Sequence, residues 1–186
     1  AIGNACDHIF VMSALDMARL EQLGINKLQM THSPNGIDPI NTPADLSKRD
    51  SAIFIGNMDY EPNCQAAHII CSSIAPIVNS RYPDFRFDFV GRTPQSLRRY
   101  ESSNITFHGE VDDPTNLLAS SRITLAPLVS GSGMKVKMLT YGQHGLPVLG
   151  TSIALQGYAD IPGFIVSDDI DNFGNNSNNA KTNVEV

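Results

Sequence analysis

Pro127-Leu128-Val129-Ser130-Gly131-Ser132-Gly133-Met134-Lys135-Val136-Lys137-Met138-Leu139, followed by Gly145-Leu146-Pro147-Val148, is the stretch on which the reading of this chain turns. The apolar run just before it, Ile123 to Ala126, reads as a buried strand. The chain then enters a Gly/Ser loop and an amphipathic run with two lysines, which predicts a helix over Met134–Gln143. Strand, glycine loop and helix in that order bring free backbone N–H groups and the positive end of a helix dipole to one point. That point suits an anion, a phosphate above all. Lys135 and Lys137 add charge that a structural turn does not need. A flexible turn leading into a solvated surface helix is the plainer alternative.

On the N-terminal side of this stretch, strand and helix signals alternate. Ala52-Ile53-Phe54-Ile55 is a strand ending at Gly56, and Pro62 is well placed to open a helix running to about Ser80. Phe87, Phe89 and Val90 mark the next strand, which ends at Gly91-Arg92, and Thr93-Pro94 starts a short helix. Ile105 and Phe107 mark a strand ending at His108-Gly109, and Asp113-Pro114 opens a helix of one to two turns. On the C-terminal side, Pro147–Leu149 and Phe164–Val166 read as strands. This order predicts an α/β fold, a doubly wound, mostly parallel sheet with helices on both faces. Right-handed crossovers put the strands' C-terminal ends on one side, and ligands bind there at the switch in strand order. Gly56-Asn57, Gly91-Arg92, His108-Gly109 and the Gly131–Gly133 loop all follow strand ends, so they are expected to line one rim.

Farther upstream, Ile9 to Met12 reads as a strand, and Ser13 with Asp16 as a capping-box-like helix start. That helix runs to about Leu23 and stops at Gly24; Lys27 to Thr31 reads as a second strand and Ser33-Pro34-Asn35-Gly36 as a turn. Asp38 to Asp50 is polar and without periodicity. The expected organisation is therefore 1–34 as the remnant or edge of a preceding domain, 35–50 as a linker and 51–170 as the main domain. Residues 171–186 are an Asn-rich tail with little to bury, expected to be disordered or weakly attached. The opening Ala1-Ile2-Gly3-Asn4 has no initiating Met and reads as the start of a fragment.

Composition narrows the function. A chain of 186 residues supports one well-cored domain, and 41% hydrophobic with 17% charged residues is ordinary for a globular protein. A net charge of -6 and a pI near 5.2 argue against nucleic acid as partner. No apolar run approaches the roughly 20 residues of a membrane span. Three cysteines, Cys6, Cys64 and Cys71, give no disulfide framework and fit a reducing cytosol. Cys64, His68 and Cys71 share a helical face, but Ala67, Ile74, Ile77 and Val78 continue it at core spacing and no fourth zinc ligand is near. Core packing is the better reading, and no metal is expected.

The constellation resembles the C-terminal, donor-binding domain of GT-B retaining glycosyltransferases of the group 1 or family 4 type, over about residues 9–167. The matching residues are Pro34-Asn35-Gly36-Ile37-Asp38, then Phe54-Ile55-Gly56-Asn57-Met58 with Tyr60 and Pro62-Asn63. Phe89-Val90-Gly91-Arg92-Thr93-Pro94 and Phe107-His108-Gly109-Glu110-Val111 follow, then the signature run from Ala126 to Lys137, Gly145-Leu146-Pro147-Val148 and Gly157. Each motif alone is weak, but six in order are specific. The resemblance implies that residues 51–170 hold a nucleotide-diphosphate sugar for transfer to a glycan or lipid acceptor. It implies that Gly131, Ser132, Gly133, Met134 and Lys135 or Lys137 cradle the diphosphate, with the lysines stabilising charge on the leaving group. Gly56 and Asn57 would stand at the same rim, Arg92 and His108 would face nucleobase and ribose, and Thr140 would occupy the ribose-gripping position. It implies no metal or other cofactor and a cytoplasmic location, peripheral to a membrane at most through a missing N-terminal domain.

Two departures from the family pattern bear on activity. Where the family usually carries two glutamates eight positions apart, this chain has Ser132 and Thr140, and losing a charge-assisted hydrogen bond costs roughly 1.5–3 kcal/mol. Most of the acceptor-binding domain is also unaccounted for, so the chain alone is expected to be inactive unless a partner chain supplies that domain. The competing reading is a non-catalytic nucleotide-sugar-binding or scaffolding module with a degenerate site. A nucleotide-sugar epimerase fits the signature loop less well. A nicotinamide-binding protein would need G-x-G-x-x-G after its first strand, whereas Gly131 and Gly133 lie late and lack the third glycine. No catalytic base is named.

Overall fold

A computed structural model describes residues 6–38, 49–158, 160–170 and 173. Positions 39–48 of the expected linker, the opening Ala1-Ile2-Gly3-Asn4 and most of the Asn-rich tail lie outside them. Phe173 is the informative exception within that tail: its ring is fully buried in the main core, so the chain is tied to the domain at that point.

The main sheet has six strands: β3 (Ser51–Ile55), β4 (Arg86–Val90), β5 (Ile105–Gly109), β6 (Ile123–Ala126), β7 (Val148–Gly150) and β8 (Phe164–Val166). Their order is β5-β4-β3-β6-β7-β8, and every pair is parallel. This is a doubly wound sheet of Rossmann type whose order reverses between β3 and β6. Strands of such a sheet are buried on both faces, as all four residues of β6 are; the one polar side chain among them, Thr124, donates its hydroxyl to the Pro147 carbonyl at 3.2 Å. The helices are α2 (Glu61–Ile69), α3 (Ala75–Arg81), α4 (Gln95–Arg98), α5 (Thr115–Ser120) and α6 (Lys137–Gln143). Phe89 and Phe107 stack with ring centroids 4.7 Å apart in the core between sheet and helices, beside Phe54.

A smaller unit precedes this sheet. Strands β1 (Ile9–Val11) and β2 (Met30–His32) pair in parallel around helix α1 (Ala14–Gln22). Ser13 Oγ accepts from the Asp16 N–H at 3.0 Å and donates to Asp16 Oδ2 at 2.7 Å, the helix start expected from the sequence. Val11, Ile25 and Met30 form a core separate from the main one.

Four stretches differ from their sequence expectation, the first being Ser33–Gly36, expected as a turn, which runs on from β2 without one. The sequence places the second strand over Lys27–Thr31, but Lys27–Gln29 is a 3-10 turn because the Asn26 side chain accepts from the Leu28 N–H. The single helix expected to run to Ser80 is divided by a π-helical segment, Ile70–Ile74. Pro76 has no N–H to give and its ring crowds the carbonyl four residues back, so the turn before it widens. The helix expected from Met134 begins only at Lys137. Gly133, at φ +73, lies outside helical geometry, and the first bonds, from the Met138 N–H to the Lys135 carbonyl and from the Leu139 N–H to the Val136 carbonyl, span three residues rather than four.

Candidate functional site

Beyond Ile53 and Thr124 the paired strands β3 and β6 part, as the order reversal requires. The Ile55 N–H, which would have continued the ladder, instead donates to the Tyr141 hydroxyl at 2.9 Å. Tyr141 is fully buried, and burial pushes its phenol pKa up, so it remains a neutral donor and acceptor. The gap between the strands opens into a cavity of about 330 Å³. Its walls are the end of β3 with the first turn of α2 (Ile55, Gly56, Tyr60, Pro62, Asn63) and the loop and helix after β6 (Leu128, Ser130, Gly131, Ser132, Lys135, Val136, Lys137).

Local sequence explains the closeness of these walls. Gly91 has φ +125, and a Cβ there would lie 2.2 Å from the Gly56 carbonyl oxygen. The ends of β3 and β4 therefore approach as only glycine allows. Thr151 pins the base of the glycine loop by donating from Oγ1 to the Leu128 carbonyl at 2.6 Å. Gly131, at φ +109, brings the loop to Tyr60, Pro62 and Lys135.

Lys137 supplies the dominant electrostatic feature. Its Nζ lies 4.2 Å from the centre of the Phe54 ring and donates to Asn63 Oδ1 at 2.9 Å. The residue as a whole is partly exposed, but its ammonium group is sunk in the protein. Burial, with the like charge of Lys135 adding to it, pulls its pKa down from 10.5 to about 7. Burial also lowers that of Lys135. No carboxylate lines this cavity among the described residues. Two amines that have lost water and gained no counter-charge favour an anion.

Five of the residues singled out in the sequence meet here: Gly56, Gly131, Ser132, Lys135 and Lys137. Gly133 adjoins them and holds the Lys135 amine through its carbonyl. Asn57 stands one residue outside, its Oδ1 accepting from the Asp59 N–H and its carbonyl from Asn63 Nδ2, each at 2.9 Å. Met134 packs against Gly157, and half-buried Thr140 gives its carbonyl to His144; neither lines the cavity. Arg92 lies between Asp59 at 3.7 Å and Glu110 at 3.4 Å, and His108 meets Asp88 at 2.7 Å; these two also stand outside the lining. Sequence reasoning did not assign Tyr60, Pro62 and Asn63 to the site, although the Tyr-x-Pro-Asn pattern just after β3 was the available signal.

A larger cavity of about 410 Å³ lies between α2 and α4, with Cys64, Ile69, Leu97 and Val129 among its lining. It has no counterpart of the Lys135 and Lys137 pair, and none of the residues expected for an anion site line it. His68, on its rim, is held by Tyr100 at 2.8 Å. Among the described residues no three His, Cys, Asp or Glu side chains gather to hold a metal ion, and no helix is long and apolar enough to cross a membrane.

The model of one protein family, described as Glycosyl transferases group 1, matches residues 49–179. A variant of S. aureus TarM in complex with fondaparinux, alpha-GlcNAc-glycerol and UDP is similar with a TM-score of 0.73 at 14% identity, over 96% of this chain and 39% of that one. Anabaena HepE in complex with UDP and glucose gives 0.70 at 13%, over 97% and 55%. WaaG, a glycosyltransferase involved in lipopolysaccharide biosynthesis, gives 0.61 at 17%, over 81% and 45%. At these identities the likeness is one of fold. The chain spans from about two-fifths to just over half the length of these structures. No curated protein matches the sequence.

Proposed function

The chain belongs to the glycosyl transferases group 1 family, and from that premise we propose that its switch-point cavity is the donor half of a glycosyl-transfer site. The observation that carries this reading is the pair of lysines, Lys135 and Lys137, in a cavity at the reversal of strand order that no carboxylate lines among the described residues. In this reading the cavity holds the diphosphate of a nucleotide sugar. The amines neutralise its charge, and they do so more strongly as the glycosyl bond breaks and charge grows on the departing phosphate. The similar TarM and HepE structures were solved with UDP bound, which supports a nucleotide ligand. WaaG acts in lipopolysaccharide biosynthesis, which supports a cell-surface glycan or lipid as acceptor.

Residues 51–170 are then the donor domain, 35–50 the linker, and 1–34 the edge of an acceptor-binding domain supplied by further chain or a partner. That the group transferred is a hexosyl group belongs to the same proposal, as do the inactivity of this chain alone, the cytoplasmic location and any peripheral membrane contact. A second reading, a nucleotide-sugar-binding module without transfer activity, is favoured by Ser132 and by the lack of any carboxylate in the lining among the described residues.

A thermal-shift panel with UDP, GDP, ADP and their common sugars tests the reading. Ligand at 100 times its dissociation constant adds about 2.7 kcal/mol of stability. A response selective for one base is expected. Silence across the panel refutes the donor site in this chain.

A further inference from the structure

The group that receives the Lys137 amine is Asn63, with Nζ to Oδ1 at 2.9 Å. The orientation of the Asn63 amide is fixed by its other contact, since Nδ2 donates to the Asn57 carbonyl at 2.9 Å and so leaves Oδ1 facing the lysine. The side chain is seated over Gly56, where a Cβ would come within 2.9 Å of Nδ2. Backbone, glycine and lysine thus hold one neutral side chain in one place, at the first turn of α2 and beside the cavity. The amine also faces the Phe54 ring and the like charge of Lys135, whose own Nζ is tied to the Gly133 carbonyl.

We propose that Asn63 is the positioning residue of this anion site: its amide oxygen aims the Lys137 amine into the cavity, and its neutrality leaves the lysine's charge to be matched by the bound phosphate alone. The inference rests on the donor-site reading above. A carboxylate in the same place would match the charge permanently and compete with the ligand. An apolar side chain would leave the amine with no acceptor. In the free protein the amine titrates at about 7. An arriving diphosphate restores its charged form, so binding above that pH takes up a proton and affinity falls as pH rises.

The test uses the whole chain carrying Asn63→Asp or, separately, Asn63→Leu, each checked for folding by circular dichroism. One readout is the pH midpoint of Lys137 reactivity toward a trace acylating reagent in the free protein, followed by mass spectrometry. The other is the pH profile of binding to UDP, GDP and ADP. Asn63→Asp is expected to move the midpoint up by at least one pH unit and Asn63→Leu to move it down. In Asn63→Asp, diphosphate affinity is expected to fall tenfold or more, with its decline at high pH following the midpoint. A purely structural residue would not give opposite signs; should one variant fail to fold, the other still fixes its own sign. An unmoved midpoint in a folded variant, with nucleotide binding intact in the unaltered protein, overturns the positioning role and leaves the donor site standing. Midpoints that move while the unaltered protein binds none of the three nucleotides overturn the donor site, and the anion-directed role of Asn63 with it.

Discussion

Lys137 sits against an amide, an aromatic ring and a second lysine, and that setting makes it costly to the fold. Its folded pKa of about 7 lies below its ordinary value of 10.5, so between these limits the unfolded chain holds the proton more tightly than the folded one. Stability from this group therefore rises with pH from about 7 toward 10.5, and below 7 the full penalty of a charged, desolvated amine is present. Lys137→Met keeps the volume and removes the penalty. It is expected to stabilise the chain by about 1–3 kcal/mol near pH 6, with the gain vanishing toward pH 10.5, while diphosphate affinity is lost. Thermal unfolding of both proteins across that range checks the sign, and a variant less stable at pH 6 refutes the account. Glycines at the rim separate in the same quantitative way. Gly91→Ala places a Cβ against immovable backbone at φ +125 and is expected to cost about 3 kcal/mol or more. Gly109→Ala, at φ +74 with nothing within 4 Å, is expected to cost only about 1–2 kcal/mol in denaturant titration.

The parting of β3 and β6 matters at the scale of elements, because a parallel ladder that stops early leaves a buried N–H to be satisfied. Tyr141 does this from α6, the helix that also carries Lys137, and so couples the strand gap to the cavity wall. Tyr141→Phe keeps the ring and removes the partner. It is expected to destabilise the chain by about 1–3 kcal/mol, which urea denaturation resolves, and a neutral result would mean that Ile55 finds another acceptor. None of this coupling was legible in the sequence, since Tyr141 and Ile55 lie 86 positions apart and nothing local marks them as partners. The strands themselves were legible, because their apolar runs end in glycines and their connections are short. So was the α1 start, where Ser13 and Asp16 are local partners. The onset of α6 was not, because the positive φ of Gly133 and a first turn closed over three residues delay the helix, and neither is written in the amphipathic pattern. Gly131, Ser132, Lys135 and Lys137 were found from a contiguous motif. Asn63 escaped assignment because its role lies in a contact across the cavity to Lys137.

For the molecule as a whole, the two sheets stand on unequal footings. Parallel strands are ordinarily buried on both faces, and a sheet of two strands is marginal alone. The pair β1 and β2 rests on a core of Val11, Ile25 and Met30, while Phe10, Leu23 and Leu28 are 72%, 78% and 87% exposed. The main sheet shares one continuous core that reaches from Ala52 to Phe173. If residues 1–34 are the edge of a domain completed by other chain, the smaller unit lacks most of its packing here and opens on its own. Amides of Ile9–Val11 and Met30–His32 are therefore expected to exchange with solvent about a hundredfold faster than those of β3, β4 and β6. Hydrogen exchange read by mass spectrometry on the whole chain measures the ratio directly. Adding nucleotide should slow exchange around Gly56 and Gly131 without protecting β1 and β2, because the cavity lining draws no residue from the smaller unit. Equal protection of both sheets would make the chain one cooperative body, and the case for a separate acceptor-side edge would fall with it.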